Sequence, residues 1–262
     1  SNEARLLGPL ITQYQADENM FNRKYALKRS DEYFKRMETF YAEWLKKLKS
    51  LPFDKLTKNE RVDYLLLKRD INADIRALKQ SETEFANTKF SVPFDNALID
   101  FEQKRRVGKQ QNGKETAQKF QQLIEVINQT DKAVENGSLT VNPVQANWAQ
   151  QTVNQHVTVF TEAYKFYDGY DPQFTKETKK VYPEVLEALK NYSKTLGKTA
   201  KLSVAKDDGS GIIGNPIGRA SFLDLLNDEM IAYTPEQIEA IAMKEFAWCD
   251  AEMLKASQQM GF

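Results

Sequence analysis

Apolar residues recur every three or four positions along most of this chain, the spacing that keeps them on one face of an α-helix. The stripe is unbroken from Tyr33 through Phe34, Met37, Phe40, Tyr41, Trp44, Leu45 and Leu48. Ser30 stands ahead of it as an N-cap, so a helix is predicted from there to about Lys49. Leu51-Pro52-Phe53 stops it. Thr57-Lys58-Asn59-Glu60 then forms a capping box, in which Thr57 accepts from the Glu60 amide while the Glu60 carboxylate reaches back. Val62, Leu65, Leu66, Ile71, Ile75 and Leu78 carry the following helix into the low 80s.

A shorter helix with Phe94, Leu98 and Phe101 is predicted after Ser91-Val92-Pro93. Asn112-Gly113 reads as a turn, and the helical pattern resumes with Phe120, Leu123, Ile124, Ile127 and Val134 until Asn136-Gly137. Asn142-Pro143 and Asp171-Pro172 each pair a cap with proline at the first helical position; the first of these helices should reach Tyr167. Pro183 is expected to break or kink the next helical region, because proline lacks an amide donor and clashes with the preceding turn. From residue 206 to 218 the texture changes to a glycine-rich irregular loop holding four of the eleven glycines. A helix is then expected from Arg219 to Ile231, and a second capping box, Thr234-Pro235-Glu236-Gln237, opens a long helix closed by Gly261. The only strand signal, Leu202-Ser203-Val204, is too short to count. The expected class is all-α: a multi-helix antiparallel bundle-like array with one glycine-rich loop, divided into a helical region over 1–205 and the loop plus helical pair over 206–262.

With 262 residues such a chain buries enough surface to need no disulfide or metal for its core. Lys plus Arg and Asp plus Glu both number 37, and neutrality argues against a nucleic-acid partner, which a basic excess would mark. The one basic cluster, Lys104, Arg105, Arg106 and Lys109, reads as a solvated helix end, where cations are favoured. No run approaches the ~18 apolar residues of a membrane span. Cys249 is the sole cysteine and is expected to pack as a small hydrophobe. Ser1-Asn2 reads as a remnant of tag removal. A trimmed export signal fits that start, so an exported, periplasmic home is the expectation and a cytoplasmic one the alternative.

Candidate chemistry is thin. A helical zinc-peptidase motif needs two histidines four apart with a glutamate between them, and a di-iron bundle needs Glu-x-x-His pairs. His156 is the only histidine and position 153 is Val, so His156 is expected to be an ordinary helix residue and no metal ligand is assigned. The same count removes a nucleophilic triad. Gly209-Ser210-Gly211-Ile212-Ile213-Gly214 matches Gly-x-Gly-x-x-Gly, but no strand precedes it and Asn215-Pro216 delays the helix that should open at its end. Gly197-Lys198-Thr199 resembles the end of a phosphate loop, yet Tyr192 stands where a glycine is required. Two readings of the glycine loop stay open. It is a connection needing positive φ, or Gly211 and Gly214 let backbone approach a substrate, with Arg219 offering a fork to a carboxylate and Tyr233 reaching the same region.

Two blocks carry a family resemblance. Leu51-Pro52-Phe53-Asp54-Lys55-Leu56-Thr57 with Arg61-Val62-Asp63-Tyr64-Leu65-Leu66-Leu67 is one. The more specific is Gly214-Asn215-Pro216-Ile217-Gly218-Arg219 with Glu229-Met230-Ile231-Ala232-Tyr233-Thr234-Pro235-Glu236 and Glu245-Phe246-Ala247-Trp248-Cys249. Both resemble the bacterial domain-of-unknown-function family 885. That resemblance implies a large, mostly helical protein related to the helical zinc peptidases, whose His-Glu-Gly-x-Pro-Gly-His-His type motif lies downstream of the blocks matched here. None of its zinc ligands, nor its general-base glutamate, maps onto a residue of this chain. The resemblance therefore implies the N-terminal half of a zinc-peptidase-like protein, with zinc held in the full-length protein by a C-terminal region and a peptide as substrate. The alternative is a non-enzymatic helical binding or scaffolding module.

Overall fold

The structure is a computed structural model that describes residues 6–201 and 217–261. Every regular element among the described residues is a helix. They fall into two compact units, one ending at Ser210 and the other beginning at Gly211. The first holds α1 (Leu7–Lys24), α2 (Asp31–Lys49), α3 (Lys58–Ala86), α4 (Asp95–Arg106), α5 (Gly113–Glu135), α6 (Pro143–Tyr167), α7 (Pro172–Thr178) and α8 (Val181–Lys201). The second holds α9 (Gly218–Asp228) and α10 (Pro235–Gln259).

The caps lie where the residue types place them. Ser30 accepts from the Tyr33 amide, Asn112 from Glu115 and Asp171 from Phe174, while Thr57–Glu60, Asn142–Gln145 and Thr234–Gln237 form full capping boxes. Each cap satisfies an amide with no partner inside its helix and contributes about 1 kcal/mol. Glu60 does more than close its box, because its Oε1 also accepts from the Leu6 amide at 2.7 Å and so ties the start of α1 to the start of α3.

The first helix is missing from the sequence pattern. Its buried residues, Leu7, Tyr14 and Phe21, come only every seventh position, one per two turns, among glutamines, asparagines and acids. A stripe that thin shows no moment of its own until α2 and α3 close over it. Two further expectations change. Asn112-Gly113 is the cap and first residue of α5 rather than a free turn. Glycine is needed there because a Cβ would stand 2.9 Å from the Phe174 Cα of α7. Pro183 neither breaks nor kinks its helix. It lies in the first turn of α8, where its missing amide would have had no intrahelical partner.

Two apolar cores fill the first unit. One gathers Tyr14, Phe21, Phe40, Tyr41, Trp44, Leu48 and Ile71 from α1–α3. The other gathers Phe101, Phe120, Ile127, Val153, Phe160, Leu189 and Tyr192 from α4–α8. Long helices that follow one another reverse direction, α8 against α6 across the short α7 included. Phe34 of α2 meets Phe85 near the end of α3, and Tyr164 late in α6 stacks on Tyr182 early in α8 at 3.6 Å. Two reversals make α1 parallel to α3 (Leu6 to Glu60, Tyr14 to Asp74) and α4 parallel to α6 (Asp95 to His156, Phe101 to Phe160). Where α6 and α8 pass closest, Gly197 leaves room for Gln150, whose Nε2 would otherwise lie 2.5 Å from a Cβ and instead donates to the Ser193 carbonyl at 2.9 Å.

The basic end of α4 is neutralised within the fold: Lys104 pairs with Asp100, Arg105 with Glu102 and Arg106 with Glu32. Among the described residues no helix is long and apolar enough to cross a membrane.

Candidate functional site

Of the four residues singled out in the glycine loop region, Gly211 and Gly214 lie outside the described residues, as does the Gly-x-Gly-x-x-Gly segment. Arg219 and Tyr233 sit in the second unit. Arg219 is in the first turn of α9, and its guanidinium takes a carboxylate of the chain itself: Nη1 and Nη2 both donate to Glu236, at the head of α10. The pair is exposed on both sides. The hydrogen bond from Arg219 holds the Glu236 carboxyl down at about 2, so the two remain an ion pair at any ordinary pH. Tyr233 immediately precedes the Thr234 cap and is exposed. The structure thus brings Arg219 and the start of α10 together around a fork already engaged by one carboxylate.

The long helix beside it is the most unusual feature of the second unit. In α10 no residue is buried. Ile241, Met243, Phe246, Trp248, Met253 and Leu254 are all exposed, Phe246 by 66% and Trp248 by 60%. At 100° per residue these side chains, with Ile238, span roughly two thirds of the helix circumference. The expectation that Cys249 packs as a small hydrophobe is therefore corrected: Cys249 is exposed on α10.

His156 lies elsewhere, deep in the first unit. It is 1% exposed on α6, and its Nε2 lies 2.5 Å from Oδ1 of Asp95 in the first turn of α4. One face of the imidazole is thus committed to a neighbouring helix. Among the described residues no three His, Cys, Asp or Glu side chains converge in a way that could hold a metal ion.

A second polar cluster sits where α1, α2 and α3 meet. Tyr14 on α1 donates to Asp74 Oδ2 on α3 at 3.0 Å, while its ring stacks on Phe40 and meets Trp44 edge-on, both at 5.4 Å. Burial pushes the Asp74 carboxyl up, Tyr14 opposes that by its hydrogen bond, and Asp70 adds to it. On α1, burial and then the nearby Asp74 push Glu18 up, with Lys28 opposing. Burial and these two carboxyls together push the phenols of Tyr14, Tyr33 and Tyr41 up as well. Such a cluster holds its protons more tightly than free carboxyls do.

The model of bacterial proteins of unknown function (DUF885) matches residues 14–262. The chain belongs to the DUF885 family. No curated protein and no solved structure matches it. The family match covers both units of this DUF885 chain from Tyr14 on, so the α4–α8 core, the exposed α10 and all of the α1–α3 core but its first turns lie within it.

The Tyr14–Asp74 cluster escapes the sequence because Tyr14 and Glu18 lie on α1, which shows no helical pattern of its own, and Asp74 lies outside the apolar stripe of α3. Only the parallel pairing of α1 with α3 puts them together. A carboxyl raised on folding binds its proton more tightly in the folded state, so its contribution to stability is present in acid and is lost as pH rises through the folded value. Asp74→Asn keeps an acceptor for Tyr14 but carries no charge at any pH. It should raise the unfolding free energy at pH 7, by about 1 kcal/mol or less in a half-exposed setting, and the melting temperature with it. The gain should vanish near the ordinary aspartate range of about pH 4. A variant less stable at both pH values would mean the ionised carboxylate is favoured there, contrary to this account.

Proposed function

We propose that this chain is the N-terminal helical part of a zinc-dependent peptidase-like protein and that α10 packs against the region of the full-length protein that holds the metal. The observation that carries the reading is the bare apolar surface of α10. Six large apolar side chains exposed on one helix are more than a solvent-facing helix needs, and monomers rarely expose large apolar surface without a partner for it. The partner region is inferred from the resemblance to the helical zinc peptidases. No zinc ligand set converges among the described residues of this chain, so no step of the chemistry is assigned to it. In the full-length protein zinc would supply an activated water for attack on a peptide bond.

In this arrangement the present chain walls the substrate cleft, with Arg219, Tyr233 and the preceding loop, Gly211 and Gly214 included, nearest the peptide. The Arg219–Glu236 pair then fixes the start of α9 on the start of α10, so that Arg219 positions the cleft wall as much as it offers charge. Zinc content measured on residues 1–262 and on the full-length protein, prepared side by side, tests the reading. Near-stoichiometric zinc in the full-length protein and none in this chain is the expected result. Zinc bound stoichiometrically by this chain alone would overturn it, and zinc in neither would favour a helical binding module that uses α10 as its contact surface. In a full-length protein active on a peptide, Arg219→Ala should lower kcat/KM by roughly three- to tenfold. Unchanged kinetics would remove Arg219 from the cleft.

A further inference from the structure

Between α4 and α5 the first unit opens a groove of about 330 Å³. Its floor is aromatic. Phe101 meets Phe120 at 5.4 Å and Phe160 at 5.5 Å, and Phe120 meets Phe160 at 5.1 Å, so three rings from three helices close the bottom against one another. Leu98 and Leu123 extend the apolar lining up the walls. A concave apolar site of this size suits one small molecule, oriented by a few polar groups at fixed points.

Those groups come from one face of α5. Thr116 lines the groove and is buried, and its hydroxyl makes no hydrogen bond to another described residue. That departs from the habit of this chain, in which Thr12, Thr39, Thr83 and Thr130 all donate to the carbonyl four residues back. Lys119 stands three residues on, which is the same helix face. It is exposed at the mouth and has no ion-pair partner among the described residues. The other cation at the mouth, Lys104, is already taken by Asp100, and that pairing also neutralises the only carboxylate in the lining.

A hydroxyl free to donate and an unpaired ammonium on one face are the chemistry that recognises a carboxylate. The ring floor beneath recognises an apolar body. We propose that the α4–α5 groove binds a small apolar carboxylate, an unbranched or aromatic body ending in a carboxylate held by Thr116 and Lys119. An amine of the same shape would place its charge against Lys119. The proposal stands apart from the peptidase reading, since the groove lies wholly in the first unit.

Octanoate titrated into the full chain in a calorimeter, with octylamine alongside, tests it. Octanoate should bind at one site and octylamine at least about tenfold more weakly. Lys119→Ala removes a charge-assisted hydrogen bond and should weaken octanoate about tenfold. Thr116→Val, which keeps the shape and removes the donor, should weaken it several-fold. Ala97 is exposed on the groove wall. Ala97→Trp should therefore abolish binding by filling the space while leaving the unfolding curve in place. Absence of octanoate binding, octylamine binding as tight as octanoate, or an Ala97→Trp variant that still binds octanoate would each overturn the proposal.

Discussion

Replacing Tyr192 with alanine should lower the unfolding free energy by about 4 kcal/mol, as expected for emptying an aromatic site in a well-packed core. Tyr192 is fully buried on α8 and meets Phe94 edge-on at 5.9 Å. Its hydroxyl donates to the Ser91 carbonyl at 2.5 Å, across 101 positions of sequence. Burial pushes the phenol up, so it acts there as a neutral donor. Alanine would leave both a cavity between α4 and α8 and a buried carbonyl without its partner. Tyr192→Phe keeps the ring and loses only the donor, and should cost about 1–2 kcal/mol. Denaturant unfolding of the two variants separates the terms. A Tyr192→Ala loss no larger than that of Tyr192→Phe would mean the ring is not packed as described.

The second large effect is expected at the pair formed by Asp95 and His156. Asp95→Ala leaves the ring nitrogen of a 1% exposed histidine with nothing to meet, and removes the only acid from the first turn of α4. The buried unsatisfied group and the lost favourable charge at a helix N-terminus together should cost about 3 kcal/mol. His156→Phe alone strands the Asp95 carboxylate and should cost a similar amount. The double variant removes both polar groups at once. Its loss should be clearly smaller than the sum of the two single losses, since interacting groups are not additive. Strict additivity in such a cycle would show that the two side chains do not depend on one another.

How much of this was legible in the sequence differs from helix to helix for physical reasons. The boundaries of α2, α3, α6 and α10 were readable because Ser30, Thr57–Glu60, Asn142–Pro143 and Thr234–Pro235 satisfy helix ends locally, and local chemistry is written in consecutive residues. The α1 helix was not, because one buried residue in seven is a signal only in the company of α2 and α3. By type and spacing His156 is an ordinary helix residue, and in place it is a buried side chain held by Asp95. Nothing in the spacing of the two, 61 positions apart, announced the partner.

The candidate sites divide in the same way. Arg219 could be picked out by type and position, but that its fork is filled by Glu236 depends on the turn between α9 and α10. The α4–α5 groove and the Tyr14–Asp74 cluster have no sequence signature, since each is assembled from helices that meet only after the chain has reversed. What the sequence determined by itself is the helical class, most of the helix limits and the shortage of histidine, since propensity, capping and composition act over a few neighbouring residues. Only the tertiary structure decided which faces are covered. It buried the aromatic stripes of α2 and α6 and left that of α10 bare, because a stripe becomes core only when another surface comes to meet it.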